Sequence, residues 1–309
     1  TIYAGLAQPQ AVVAIDPKTG VVKQRLVLDS ADIASTKELV TMRINRAGTR
    51  LYIANGSDES ATILSLPDLA VLREITIEGE PIRDALPDPK GRYLYVLGRH
   101  VHVYDADGEK ELRSINIDDP MAIAASANGT LLAVVAPEDF GNAKATSVAL
   151  FETTSFAELA REPLQTDKTI EAALFAAGDQ ALIALSRGSF FEKPISARKP
   201  NKQMSAGTNG QMRMAIEFGD LTSSDAICLP EGSGAQIATL ASPELLLFAE
   251  RRCNASGAFA GSHRRVTPAS LYGVSAYAMA YDRNNNTVAV TDRAGFLTIY
   301  KAPRVVVAK

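Results

Sequence analysis

Two histidines with one residue between them, His100 and His102, stand on a predicted strand that leads into Val103-Tyr104. The two-residue period of a strand puts both rings on one face, within reach of a common metal ion. No other His or Cys lies close by in sequence to complete such a site, and His263 is the only further histidine. The pair therefore reads as decoration of a strand edge or short loop rather than as a metal site. Asp105-Ala106-Asp107-Gly108 has the look of the opening of a calcium loop, but the later oxygen ligands such a loop needs are missing. It falls where Asp16-Pro17-Lys18-Thr19-Gly20 falls in an earlier stretch of the chain, and that equivalence favours a hairpin turn closed by an Asp side chain. Gly-x-Ser-x-Gly, His-Glu-x-x-His and a glycine-rich phosphate loop are all absent.

Cys228 and Cys253 match no zinc spacing. They offer one disulfide in an oxidising compartment or two separate buried thiols. Charge is more informative. Residues 187–213 contain Arg187, Lys193, Arg198, Lys199, Lys202 and Arg213 against Glu192 alone, a net +5, and residues 251–265 add Arg251, Arg252, Arg264 and Arg265 for +4. The whole chain carries −3, so the remainder sums to −12 and the charge is segregated. Phe190 and Phe191 open the longer stretch. Arg beside aromatic rings is the composition of binding surfaces, where guanidinium forks hydrogen-bond and stack. The alternative is a solvated lid whose charges maintain solubility.

The elements that must position these residues follow from the rest of the 309-residue chain, which has room for one large domain or two ordinary ones. Hydrophobic residues at 46% and charged residues at 22% place it among globular proteins and exclude disorder. A pI near 5.7 excludes a wholly basic nucleic-acid binder, and no nucleic-acid partner is expected. No apolar run approaches the ~18–20 residues of a membrane-spanning helix. The chain starts at Thr1 without Met, as expected of an exported protein whose leader has been removed, which points to a periplasmic or secreted location.

A repeat organises the whole. Residues 40–44, a turn at Asn45-Arg46-Ala47-Gly48, then residues 50–55, 61–66 and 71–77 read as four short strands, and the order recurs around Asp88-Pro89-Lys90-Gly91. Further copies of the first turn are Ser126-Ala127-Asn128-Gly129, Ala177-Gly178-Asp179, Ser242-Pro243-Glu244 and Asp282-Arg283-Asn284-Asn285. The sequons at Asn55, Asn128, Asn254 and Asn285 read as turn asparagines. Each four-stranded unit leaves an apolar face that it cannot bury alone, so the units must pack face to face around an axis. Counting the N-terminal stump gives seven, which predicts an all-β, seven-bladed β-propeller with four-stranded antiparallel blades over 1–309 as a single domain. Arg304 to Lys309 is expected to pair within the blade where the chain ends meet.

Residues 81–96, with Asp88-Pro89-Lys90-Gly91 before Tyr93-Leu94-Tyr95-Val96, resemble the YVTN-type propeller repeat, as do Val13 to Val22 and Val103 to Gly108. The resemblance is good over 1–165 and recognisable at 276–301. It implies a fold shared by surface-layer proteins, lactonase-like hydrolases and the β subunits or heavy chains of periplasmic amine dehydrogenases, and fold does not choose among them.

Against the repeat, three blades are expected to lengthen the loop between second and third strands, over about 136–146, 187–213 and 251–265, on the face that also carries the connections between blades. Two function classes remain. The first is a non-enzymatic binding or subunit propeller without a cofactor, whose basic face docks an acidic protein partner or an anionic ligand through Arg187, Phe190, Phe191, Arg198, Lys199, Lys202, Arg251, Arg252, Arg264 and Arg265. The second is a lactonase-type enzyme or an amine dehydrogenase subunit, for which Asp84, Glu138 and Asp139 are acidic candidates at a channel mouth, although surface solvation explains each as well.

Overall fold

Short β-branched and apolar runs broken by Asn, Asp and Gly satisfy their backbone groups only by pairing with one another. The computed structural model of the chain bears this out. It describes residues 1–7, 10–28, 41–54, 59–140, 143–164, 169–176, 179, 181–186 and 189–198, and beyond these 215–218, 222–224, 237–239, 245–248, 256–259, 265–266, 276–282, 287–292 and 297–301. Among the described residues every regular element is a β-strand and none is a helix. The chain divides into two compact units, Thr1–Gly129 and Thr130–Lys309.

In the first unit, β1 (Ile2–Ala7), β2 (Gln10–Ile15) and β3 (Val22–Val27) form one antiparallel sheet in that order. Next come two four-stranded antiparallel sheets. One runs β4 (Thr41–Ile44), β5 (Arg50–Ala54), β6 (Ser60–Ser65), β7 (Val71–Thr76). The other runs β8 (Asp84–Pro87), β9 (Tyr93–Leu97), β10 (Val101–Asp105), β11 (Glu111–Ile115). β12 (Ala122–Ala125) is the last strand of the unit. Residues 51–54, 94–97 and 101–104 are buried on both strand faces, whereas the fourth strands β7 and β11 are largely exposed. This is the pattern of sheets that pack on either side of themselves and show only an outer edge to water.

The turns explain the repeat. Between first and second strands, Asn45 accepts from the amides of Thr49 and Arg50 through its side chain, and Gly48 N–H donates to its carbonyl at 2.9 Å. Asp88 does the same work at the next copy, accepting from Arg92 N–H. Between third and fourth strands, Gly20, Leu69 and Gly108 all take positive φ as their amides close the turn on Asp16, Ser65 and Asp105. Lys18 N–H caps the Asp16 side chain and Glu109 N–H that of Asp105, so the expected Asp-closed hairpins are present. Leu69 bears the strained φ because its side chain is buried among Val12, Ala14, Leu51, Ile53 and Leu64.

In the second unit, β13 (Leu131–Phe140), β14 (Ala143–Glu152) and β15 (Glu158–Pro163) pair consecutively. β16 (Ile170–Ala176), β17 (Ala181–Ser186), β18 (Ser189–Arg198) and β19 (Ala215–Phe218) follow in order, with β20 (Thr222–Ser224) also on β18. The last two sheets are β21 (Ile237–Thr239), β22 (Leu245–Phe248), β23 (Ser256–Phe259), β24 (Arg265–Val266), and β25 (Ala276–Asp282), β26 (Thr287–Asp292), β27 (Leu297–Lys301). The stretch expected as a loop over 136–146 is instead a ribbon. β13 and β14 stay in register from Leu131 opposite Glu152 out to Phe140 opposite Ala143, well past the part of β14 that pairs with β15.

Candidate functional site

β18 decides how the longest basic stretch is displayed. Its first residues pair with β17, from Ser189 opposite Ser186 to Pro194 opposite Ala181, so only two residues separate those strands. On its other edge Phe190 to Glu192 pair with β20, and its last four residues, Ile195 to Arg198, pair with β19. The reading of 187–213 as one loop between second and third strands is therefore corrected: ten of its residues are strand, and the long connection begins after Arg198. At ~3.3 Å per residue the two ends of β18 lie roughly 30 Å apart. The physical reason is alternation. Lys193 and Ile195 point inward and are buried, a period-two pattern that the high charge of the segment obscures.

Lys193 is also removed from the basic surface. It is 5% exposed, its Nζ lies 2.5 Å from a Glu162 carboxylate oxygen, and it donates to the Pro163 carbonyl at 3.4 Å. The register of β22 and β23, with Phe248 opposite Ser256, assigns Arg251 and Arg252 to a second-to-third connection, and Arg264 precedes β24 in a third-to-fourth connection. Phe190, Phe191, Arg198 and Arg265 are placed by their backbone alone. Arg187, Lys199, Lys202, Arg251, Arg252, Arg264, Cys228, Cys253 and His263 lie outside the described residues, as does the segment from Arg304 to Lys309.

The histidine pair does not converge. His100 precedes β10, and its Nδ1 lies 3.2 Å from the Ile117 carbonyl. His102 lies within β10, with Nδ1 2.8 Å from Glu111 Oε1 and Nε2 3.1 Å from Glu80 Oε2. Both nitrogens of that ring face carboxylates rather than a shared ion. Glu80, in the connection from β7 to β8, also accepts from Arg99 N–H at 2.9 Å. Burial opposes its ionisation, but the hydrogen bonds from His102 and Arg99 outweigh this and hold it below the usual carboxylate range. Neither glutamate is signalled in the sequence, since Glu80 and Glu111 lie 22 and 9 residues from His102. The one local trace is Gly98, where a Cβ would stand 2.6 Å from Glu80 Oε2.

Of the acidic candidates, Asp84 is fully engaged and Glu138 faces a cation. Buried Asp84 on β8 takes a two-pronged bond from Arg43 on β4, at 3.2 Å from Nε and 2.8 Å from the terminal nitrogen. The Arg43 guanidinium is held further toward its charged form by the Asp84 charge. Glu138 lies 3.9 Å from Arg161, which is itself forked onto Glu158. Asp139 sits opposite Lys144 in the ribbon.

Among solved structures, the β-propeller domain of Myceliophteria thermophila Cps50 (Swd1) is similar over 97% of this chain and 93% of its own, with a TM-score of 0.68 and 13% identity. The fold is a β-propeller. A chain of Kuenenia stuttgartiensis hydrazine synthase is similar over 94% of this propeller and 89% of its own length, with a TM-score of 0.65 and 12% identity. No family model matches the chain, and no curated protein matches it in sequence.

Proposed function

We propose that the chain is a seven-bladed propeller of YVTN type that works as a non-enzymatic binding or subunit module without an intrinsic cofactor, and that it docks an acidic protein surface or an anionic ligand through basic connections. The seven antiparallel sheets into which the described strands group support the blade count. The observation that carries the function is charge segregation: residues 187–213 and 251–265 carry +9 in a chain whose net charge is −3, and +8 once Lys193, buried against Glu162, is set aside. Like charges gathered within a Debye length of ~8 Å repel one another, and an anionic partner relieves that repulsion.

Strand direction sorts these charges. Antiparallel strands reverse at every turn, so in a propeller the second-to-third connections open on one face and the third-to-fourth connections on the other. On that geometry Arg198, Lys199, Lys202, Arg264 and Arg265 would share one face, and Arg187, Arg251 and Arg252 the opposite one. The first group is the larger, and we take it as the docking surface, with Arg251 and Arg252 outside it.

The test is fluorescence anisotropy of a glutamate-rich peptide titrated with the full chain at low and at physiological salt. The expected result is binding that weakens steeply with salt and is lost when Arg198, Lys199, Arg264 and Arg265 are replaced by Ser. Salt-independent binding, or no difference between wild type and variant, overturns the reading. Stoichiometric calcium, zinc or iron in the purified protein would favour the hydrolase class instead.

A further inference from the structure

The His102 ring stands between two carboxylates that come from different elements, one before β8 and one on β11. A carboxylate accepts only, so both contacts are satisfied together when both ring nitrogens carry hydrogen. A neutral imidazole has one N–H, and its bare nitrogen would then face an ionised oxygen. The ring is nearly buried, with a side-chain exposure of 10%, so water cannot readily take the place of the lost partner.

The surroundings fix which contact yields. Glu80 is the more buried carboxylate, at 17% side-chain exposure against 40% for Glu111, and it keeps a second donor in Arg99 N–H. Two other titratable groups bear on these carboxylates, Tyr104, two residues along β10, and His100, before that strand. Tyr104 is raised first by burial and then by the charges of Glu111 and Glu80. His100 has Asp118 at 3.8 Å and its charge bears on Glu80. From β9 the residue opposite His102 is Val96, which carries no charge.

We propose that Glu80, His102 and Glu111 form a pH-operated latch, in which the doubly protonated ring ties the outer strand β11 to the connection before β8 and loss of a ring proton releases Glu111. The start of β11 is suited to such release. Its ladder with β10 shifts register between Val103 and Tyr104, beside Glu111, so the backbone bonds there are already interrupted.

Ring ¹⁵N spectroscopy of the full chain, with His102 assigned from His102→Gln, reads the protonation state directly. The expected result is a ring with both nitrogens protonated on the acid side and a single loss of a ring proton as the pH is raised. Amide exchange of β11, corrected for the intrinsic effect of pH, should rise about tenfold across that step while β9 stays protected. Glu111→Gln should remove the coupling. A single neutral tautomer throughout, or β11 exchange that ignores the ring's titration, overturns the proposal, and both readouts are available on the wild-type chain.

Discussion

Arg92 Nε lies 2.8 Å from a carboxylate oxygen of Asp88 whose side chain is wholly buried, and the same guanidinium donates to the Gly129 carbonyl at 2.6 Å. One side chain thus neutralises a buried charge and ties the β8–β9 turn to the turn after β12. Arg92→Ala leaves the carboxylate buried without its cation and is expected to cost about 3–5 kcal/mol in chemical denaturation. Asp88→Asn keeps an oxygen that accepts from Arg92 N–H and is expected to cost less.

Gly108 has a φ of 69°, and an added Cβ would lie 2.8 Å from Cδ1 of both Ile63 and Ile75, so the β10–β11 hairpin is seated directly against the neighbouring sheet. Gly91 has the same φ with nothing within 4 Å of its added Cβ. Gly91→Ala therefore reports the backbone penalty alone, about 1 kcal/mol. Gly108→Ala adds overpacking, roughly a further 1–3 kcal/mol, and Ile75→Val should recover part of it.

Leu69 reverses the usual order of truncation. Its φ of 54° is strained for any residue with a Cβ, and its buried side chain offsets the strain. Leu69→Ala loses the burial and keeps the strain, while Leu69→Gly loses the burial and sheds the strain. The glycine variant should melt higher than the alanine variant by a few degrees, although both melt below wild type.

Glu80 gives the acid side of the pH profile. Its folded value lies below that of an unfolded glutamate, so it contributes stability above the ordinary carboxylate range, and that contribution is lost as the pH falls through the folded value. Urea midpoints measured from pH 7 downward should fall less steeply for Glu80→Gln than for wild type.

The strands and turns of the first unit are legible because they obey local rules. Asn45 and Asp88 cap the same turn by the same bonds, and Ile44 opposite Leu51 and Pro87 opposite Leu94 set the same register. Legibility fails where placement is set through space. β18 looks like a loop because its charge hides the alternation of Lys193 and Ile195, and Lys193 finds its partner, Glu162, on β15. His102 is visible in the sequence as half of a metal pair, yet its partners are glutamates on other elements, which no spacing announces. Leu69, like Phe156 in the β14–β15 turn, stands where the β2–β3 and β10–β11 turns have glycine, and the burial of its side chain offsets the strain.

Recognition by basic connections sorted to one face is tested most directly by comparing two serine variants against the glutamate-rich peptide in a salt series. One replaces Arg198, Lys199, Arg264 and Arg265, and the other replaces Arg187, Arg251 and Arg252. The account predicts that the first loses most of the salt-dependent affinity and the second keeps most of it. Equal losses in the two variants would contradict the sorting by strand direction, and unchanged affinity in both would contradict the docking surface itself.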